Sequence, residues 1–136
     1  MPSFRYAFTV SWVETDALAV VHFSNFFRYF ERAEQEFYTM SGTNQENSMK
    51  EHGIAFPRVE AHCTYESPLR FGDRAETELS LESMTDKSVK IKFEIRNLTE
   101  KKRAAHGSMT LVCVDTQKWK AMSIPQDVRR LFRKLE

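Results

Sequence analysis

Between Val10 and Phe37 the chain reads VSWVETDALAVVHFSNFFRYFERAEQEF. An alternating apolar segment gives way to an amphipathic one, and a single carboxylate, Asp16, stands in the join ahead of Phe23. A carboxylate can attack a carbonyl directly or take a proton from water. A helix start can hold the oxyanion that results, because its first amides are unpaired and lie at the positive end of the helix dipole. A short loop from Asp16 to Phe23 would bring both groups to one substrate carbonyl. The structural alternative is a loop aspartate that satisfies backbone donors. His22 is the nearest histidine, either a polar wall and proton partner or a solvent-facing residue at the helix entry. Glu31 is a second carboxylate, expected to pair with Arg28 or Gln35 along the helix. His52, His62 and His106 show no metal-ligand spacing with one another or with the cysteines, so no metal is assigned.

The elements that must position these residues follow from periodicity. Phe4, Tyr6, Phe8, Val10 and Trp12 share one face of a first strand. In 56–66, Pro57, Val59, Ala61, Cys63 and Tyr65 fall on one side and Arg58, Glu60, His62, Thr64 and Glu66 on the other. Leu79 and Leu81 alternate with Glu78, Ser80 and Glu82; Val89, Ile91, Phe93 and Ile95 alternate with Lys90, Lys92, Glu94 and Arg96. Residues 104–114 turn apolar on both faces toward their end. This alternation predicts an antiparallel sheet with one covered face, and its charged face remains available to a second subunit. One long helix lies between the first two strands, with Phe26, Phe30, Ala33, Phe37 and Met40 as its buried stripe. Arg28, Glu31, Arg32, Glu34, Gln35 and Glu36 take its other faces. Ser24 or Asn25 is the expected cap and Gly42 the terminator. A short helix over 44–51 and a last helix with Pro125 in its first turn complete the reading. The fold class is α+β, an antiparallel sheet of five or six strands wrapped around one long central helix.

At 136 residues the chain is expected to be one domain, 1–136, without repeats or linkers. Eleven phenylalanines, four tyrosines and two tryptophans exceed what a plain core needs, which points to a buried interface or an apolar pocket. A net charge of +1 gives no field toward nucleic acid or membrane. Cys63 and Cys113 read as small buried hydrophobes of a reducing compartment. With neither an apolar leader nor a membrane-length apolar run, the expected location is cytoplasmic.

ETDALAVVHFSNFFRYFERA resembles the opening motif of the hotdog-fold acyl-CoA thioesterases of the 4-hydroxybenzoyl-CoA thioesterase type. GIAFPRVEAHCTYESPLRFGD and MTLVCVDTQKWKAMSIPQDV resemble that family's second strand with its turn and its last strand with the closing helix. The likeness covers nearly the whole chain in order. It implies homodimers with sheets joined edge to edge, often tetramers of two dimers, and active sites at the dimer interface. It also implies an acyl-CoA substrate with a short, medium or aromatic acyl group, and no cofactor other than the coenzyme A of the substrate. The residue matching Asp16 is the family's nucleophile or general base, and the backbone amide of the residue matching Phe23 polarises the thioester carbonyl. The resemblance places the nucleotide end at Lys87, Ser88 and Lys90, with Arg58 and Lys101–Arg103 as further cations. Relatives often carry glycine where Leu18 and Ala19 stand, so a positive φ there would strain this chain. The usual polar pair is replaced by His22-Phe23, which keeps the amide and changes the side chains. Two competing readings are a protein that binds acyl-CoA or an acyl carrier without cleaving it and, last, a hydratase or dehydratase.

Overall fold

Val89, Ile91, Phe93 and Ile95 can share a face only in an extended chain, and strand β5 (Ser88–Asn97) buries all four. It lies at the centre of a five-stranded antiparallel sheet with order β1-β4-β5-β6-β3. The partners are β1 (Phe4–Thr9), β3 (Arg58–Tyr65), β4 (Arg74–Met84) and β6 (Lys102–Val112). A small second sheet pairs β2 (Ile54–Ala55), β7 (Val114–Asp115) and β8 (Lys120–Ala121). The computed structural model of the chain describes residues 3–43 and 45–136.

Helix α1 (Asn25–Met40) packs its aromatic face on the main sheet. Phe8 meets Tyr29 at 4.2 Å between ring centroids, Phe30 meets Phe93 at 5.2 Å, and Phe4 meets Phe37 edge-on at 5.7 Å. Each such ring, fully buried, contributes on the order of 1.5–3 kcal/mol, so this face fixes where α1 lies. The sheet curled around a long helix is the hotdog architecture. Helix α2 (Gln45–His52) and helix α3 (Gln126–Arg133) flank it. Asn44, where the second helix is predicted to start, lies outside the described residues.

Several expectations need correction. Trp12 is 77% exposed. The strand alternation stops at Val10, whose amide and carbonyl bond Asp73 and Gly72, and the chain then turns through a 3-10 segment, Trp12–Glu14. Met40 is exposed because it ends α1, and Tyr29, Glu34 and Tyr38 take the buried positions beside the predicted stripe. Glu34 is only 1% exposed, against its assignment to the polar face; it pairs there with Arg58. Ser24 occupies the N-cap position without a side-chain cap bond, its Oγ being held by His22. Gly42 does terminate the helix, at φ 84°. Pro125 is the N-cap of α3 and precedes its first turn.

The strand over 56–66 departs most. β3 is an edge strand, and its residues are exposed on both faces apart from half-buried Cys63. Its register slips between Arg58 and Glu60, the mark of a bulge at Val59. One extra residue reverses the alternation beyond it, so Arg58 joins Cys63 and Tyr65 on the helix side.

Candidate active site

Glu14 assembles the join between β1 and α1. Its Oε1 accepts from the Ser11 amide and the Tyr29 hydroxyl, both at 2.8 Å. Its carbonyl accepts from the His22 amide at 2.9 Å and from Asn25 Nδ2 at 2.8 Å. One residue thereby ties both ends of the 15–22 loop to the helix, a role that sequence reasoning missed because Glu14 reads as an ordinary loop acid. A Thr15–Val21 bridge closes the loop, and the Val21 amide bonds the Leu69 carbonyl.

Asp16 sits at the head of this loop. Its amide donates to Val20 O and its carbonyl accepts from Ala19, both at 2.9 Å. Its Oδ1 accepts from the Leu18 amide at 2.8 Å, so the backbone-satisfying role is real and also aims the carboxylate. Ala19 adopts φ 64°, the left-handed region where glycine is cost-free, and Leu18 does not. The departure from glycine therefore places one residue, Ala19, in a strained conformation.

Phe23 stands two residues before Asn25, in a tight turn that leads into α1: the Asn25 amide donates to His22 O at 2.9 Å and the Phe26 amide to Phe23 O at 3.4 Å. The first of these bonds polarises the peptide whose N–H is that of Phe23. Among the described residues, no acceptor takes the Phe23 amide. The Tyr65 hydroxyl donates to Phe23 O at 3.0 Å, and its ring stands edge-on to Phe26 at 5.0 Å. Burial, followed by the neighbouring Cys63, pushes the Tyr65 hydroxyl up to about 12, which keeps it a neutral donor.

A cleft of about 390 Å³ is lined by Asp16, Leu18, Phe23, Phe26, Tyr65 and Glu66, among others. Asp16 and the Phe23 turn at the helix entry thus border one void. His22 is not among the lining residues; its ring stacks on Phe23 at 4.6 Å and its Nδ1 contacts Ser24 Oγ at 2.8 Å. On the rim, Arg103 and then His106 hold the Glu66 carboxyl down at about 2.

The other candidates gather at the opposite end of the sheet. Ser88 faces Val112, while Val89 and Arg58 both face Leu111, whereas Tyr65 faces Ala105. Seven strand residues put roughly 20 Å between Arg58 and Tyr65. Ser88 closes a turn onto Thr85 and Lys90 pairs with Glu82 at 3.2 Å. Lys87 is exposed. No single protomer therefore brings Lys87, Ser88, Lys90 or Arg58 to Asp16.

Arg58 donates to the buried Glu34 carboxylate and, at 3.2 Å, to Phe56 O. Burial lifts the Glu34 carboxyl to about 7, with Arg58 opposing and Glu31 adding to the rise, and among the described residues Glu34 Oε2 has no partner. Glu31 makes neither of its predicted helix pairs; it lines a second cleft of about 340 Å³ with Tyr38, Phe56, Arg58 and Trp119. Elsewhere Glu51, His52 and Asp127 bring ligand-capable atoms within 4.8 Å of one another, a grouping invisible to sequence spacing because Asp127 belongs to α3. His52 Nε2 contacts Asp127 Oδ2 there at 2.9 Å. Both cysteines are free thiols. Among the described residues, no helix is long and apolar enough to cross a membrane.

Residues 10–132 match the model of the thioesterase-like superfamily. The chain is 28% identical to the acyl-CoA thioester hydrolase YbgC of Escherichia coli O6:H1, over 96% of both chains. A crystal structure of a hypothetical protein from Aquifex aeolicus superposes with a TM-score of 0.85 at 30% identity, covering 95% of this chain and 98% of that one. A 1,4-dihydroxy-2-naphthoyl-CoA thioesterase from Synechocystis superposes at a TM-score of 0.89 over 96% and 95%; at 22% identity, that likeness speaks for the fold alone. The chain belongs to the thioesterase-like superfamily and is a thioester hydrolase of hotdog fold.

Proposed function

We propose that the protein hydrolyses the thioester of a short, medium or aromatic acyl-CoA at the Asp16 cleft. The observation that carries this reading is the shared void: Asp16, whose carboxylate accepts from the Leu18 amide, and Phe23, whose amide has no acceptor among the described residues, line the same cleft. The named activities of relatives, an acyl-CoA thioester hydrolase in one case and a 1,4-dihydroxy-2-naphthoyl-CoA hydrolase from Trichodesmium erythraeum in another, agree with it.

The thioester carbonyl oxygen accepts from the Phe23 amide, which stabilises the negative charge that develops there. Asp16 takes a proton from water as the water oxygen bonds the carbonyl carbon. The tetrahedral species then collapses, the C–S bond breaks, and the proton passes from Asp16 to the departing sulfur, leaving a free acid and coenzyme A. On the alternative route Asp16 itself attacks, coenzyme A leaves, and water opens the resulting anhydride. A single turnover in ¹⁸O water, with enzyme in excess, separates the routes: label found in the Asp16 carboxyl identifies direct attack, with water opening the anhydride at that carbon. Neither route draws on a cofactor beyond the coenzyme A of the substrate.

The working unit is a homodimer joined through the open edge of β3. That edge carries exposed Val59 and Tyr65, and beside it lie exposed Leu18 and Phe23, a run of apolar surface that pairing would cover. Antiparallel pairing about a two-fold axis sets the Arg58 end of one strand against the Tyr65 end of the other. Lys87, Ser88 and Lys90 of one protomer then approach the Asp16 cleft of its partner, where they can meet the nucleotide.

Thiol release from a panel of acyl-CoAs tests the activity. Asp16→Asn is expected to lower kcat by about 100- to 10,000-fold, the range that a positioned base contributes. Equal release by this variant and wild type, or tight binding with the thioester left intact, overturns the proposal in favour of a binding protein.

A further inference from the structure

Between Tyr65 and Leu69 the chain bridges the two pieces to which the proposed mechanism assigns chemistry. At one end the Tyr65 hydroxyl donates to Phe23 O; at the other, Leu69 O accepts at 2.8 Å from the Val21 amide, in the loop that carries Asp16. The Leu69 end anchors itself, since its side chain is fully buried. The Tyr65 end has no such anchor. Tyr65 is 44% exposed and closes an edge strand whose sheet partner is β6. Immediately beyond it, β6 grips the chain. The Glu66 and Ser67 amides both donate to Ala104 O, at 2.8 and 3.1 Å, and Ser67 Oγ donates to Arg103 O at 2.9 Å. The Arg103 guanidinium holds the Glu66 carboxylate as a fork, Nε donating to Oε1 at 2.6 Å and Nη2 to Oε2 at 2.9 Å. His106 Nδ1 contacts Oε1 at 3.0 Å.

Arg103 and His106 line a groove of about 390 Å³ on the charged face of the sheet, together with Lys92 and Glu94. Neither lines the Asp16 cleft, so they act on it through Glu66, which does. A half-exposed ion pair contributes little to folding. A fork of two parallel bonds does fix direction, because the guanidinium and carboxylate planes must align. Holding Glu66 in this way holds the backbone of its neighbour, and the Tyr65 ring, edge-on to Phe26, then carries its hydroxyl to Phe23 O. We infer that Glu66 and Arg103 are positioning residues for the hydrolysis: their clamp keeps Tyr65 on the Phe23 carbonyl and thereby keeps the Phe23 amide aimed. This rests on the hydrolase reading above and on the role it gives that amide.

The test measures kcat, KM and Tm on whichever acyl-CoA of the panel wild type cleaves fastest. Glu66→Gln, which keeps the shape of the side chain, and Arg103→Met are each expected to lower kcat about 2- to 12-fold, the scale of one hydrogen bond. KM should stay within about twofold and Tm should barely move, as a half-exposed pair dictates. Added to Tyr65→Phe, Glu66→Gln should cost nothing further, because the bond it positions is already gone. Single variants with wild-type kcat overturn the clamp, as does a double variant in which the two losses multiply. A kcat that falls in step with Tm marks a merely structural role and overturns it too. Should wild type cleave no acyl-CoA at all, the hydrolase reading fails by itself. Fluorine NMR of protein labelled with 3-fluorotyrosine then decides the clamp, the Tyr65 signal being the one absent from Tyr65→Phe. Glu66→Gln should move that signal toward the position of free fluorotyrosine, and an unmoved signal overturns the inference.

Discussion

Glu34 offers a quantitative test of how the core handles a buried acid. Its carboxyl ionises near 4.5 in an exposed chain and near 7 in the fold, because burial outweighs the attraction of Arg58 and Glu31 adds repulsion. Arg58 on β3 and Glu31 on α1 are the groups that act on it electrostatically. A raised carboxyl makes the folded state bind the proton more tightly, so this residue's contribution is most favourable below pH 4.5. It declines as pH rises and is fully lost above about 7. The gap between the two values corresponds to about 3 kcal/mol. Glu34→Gln keeps the shape and an acceptor for Arg58 while abolishing the titration. Urea unfolding of both proteins at intervals from pH 4 to 8 gives the stability of wild type minus that of the variant, in which every other titrating group cancels. That difference should fall by about 3 kcal/mol across the window. A flat difference, or one that rises with pH, would mean that Arg58 holds Glu34 ionised and would refute the reasoning.

Ala19→Gly should stabilise the loop. Relief of the left-handed conformation is worth about 1–2 kcal/mol and the added freedom of the unfolded chain costs about 0.4–1 kcal/mol, so Tm should rise by a few degrees in a thermal melt. Gly107→Ala should do the reverse, since a Cβ there would meet His62 O at 1.9 Å and the Phe93 ring at 2.8 Å. We expect a loss of about 1–3 kcal/mol in chemical denaturation, together with faster amide exchange along β3 as that strand is pushed off β6. Tyr65→Phe removes the hydroxyl that braces the Phe23 carbonyl, and kcat should fall about 2- to 12-fold, the scale of one hydrogen bond, with little change in KM.

The order of elements was legible because burial imposes a period. β5 and the aromatic stripe of α1 follow their expected patterns with each apolar residue inward up to Phe37. Asp16 and Phe23 stand out in the sequence through the likeness of the motif around them, and both line one cleft. What escaped notice depended on events that leave no periodic trace. A single inserted residue at Val59 reversed the face of Arg58, and a buried Glu34 looks like any helix-surface acid until its partner arrives from another strand. Glu14 reads as loop polarity, although four hydrogen bonds converge on it. Trp12 was misplaced because alternation in sequence continues after the backbone has left the sheet.

The bond from Tyr65 to the Phe23 carbonyl joins an outermost strand to the peptide turn to which the proposed mechanism assigns carbonyl activation. A solitary chain has nothing on the far side of that strand to hold the tyrosine still. With the homodimer proposed above as the working unit, specific activity should depend on protein concentration, dropping on dilution as chains separate and returning when they are concentrated again. Turnover would then report assembly, with no dedicated regulatory site required.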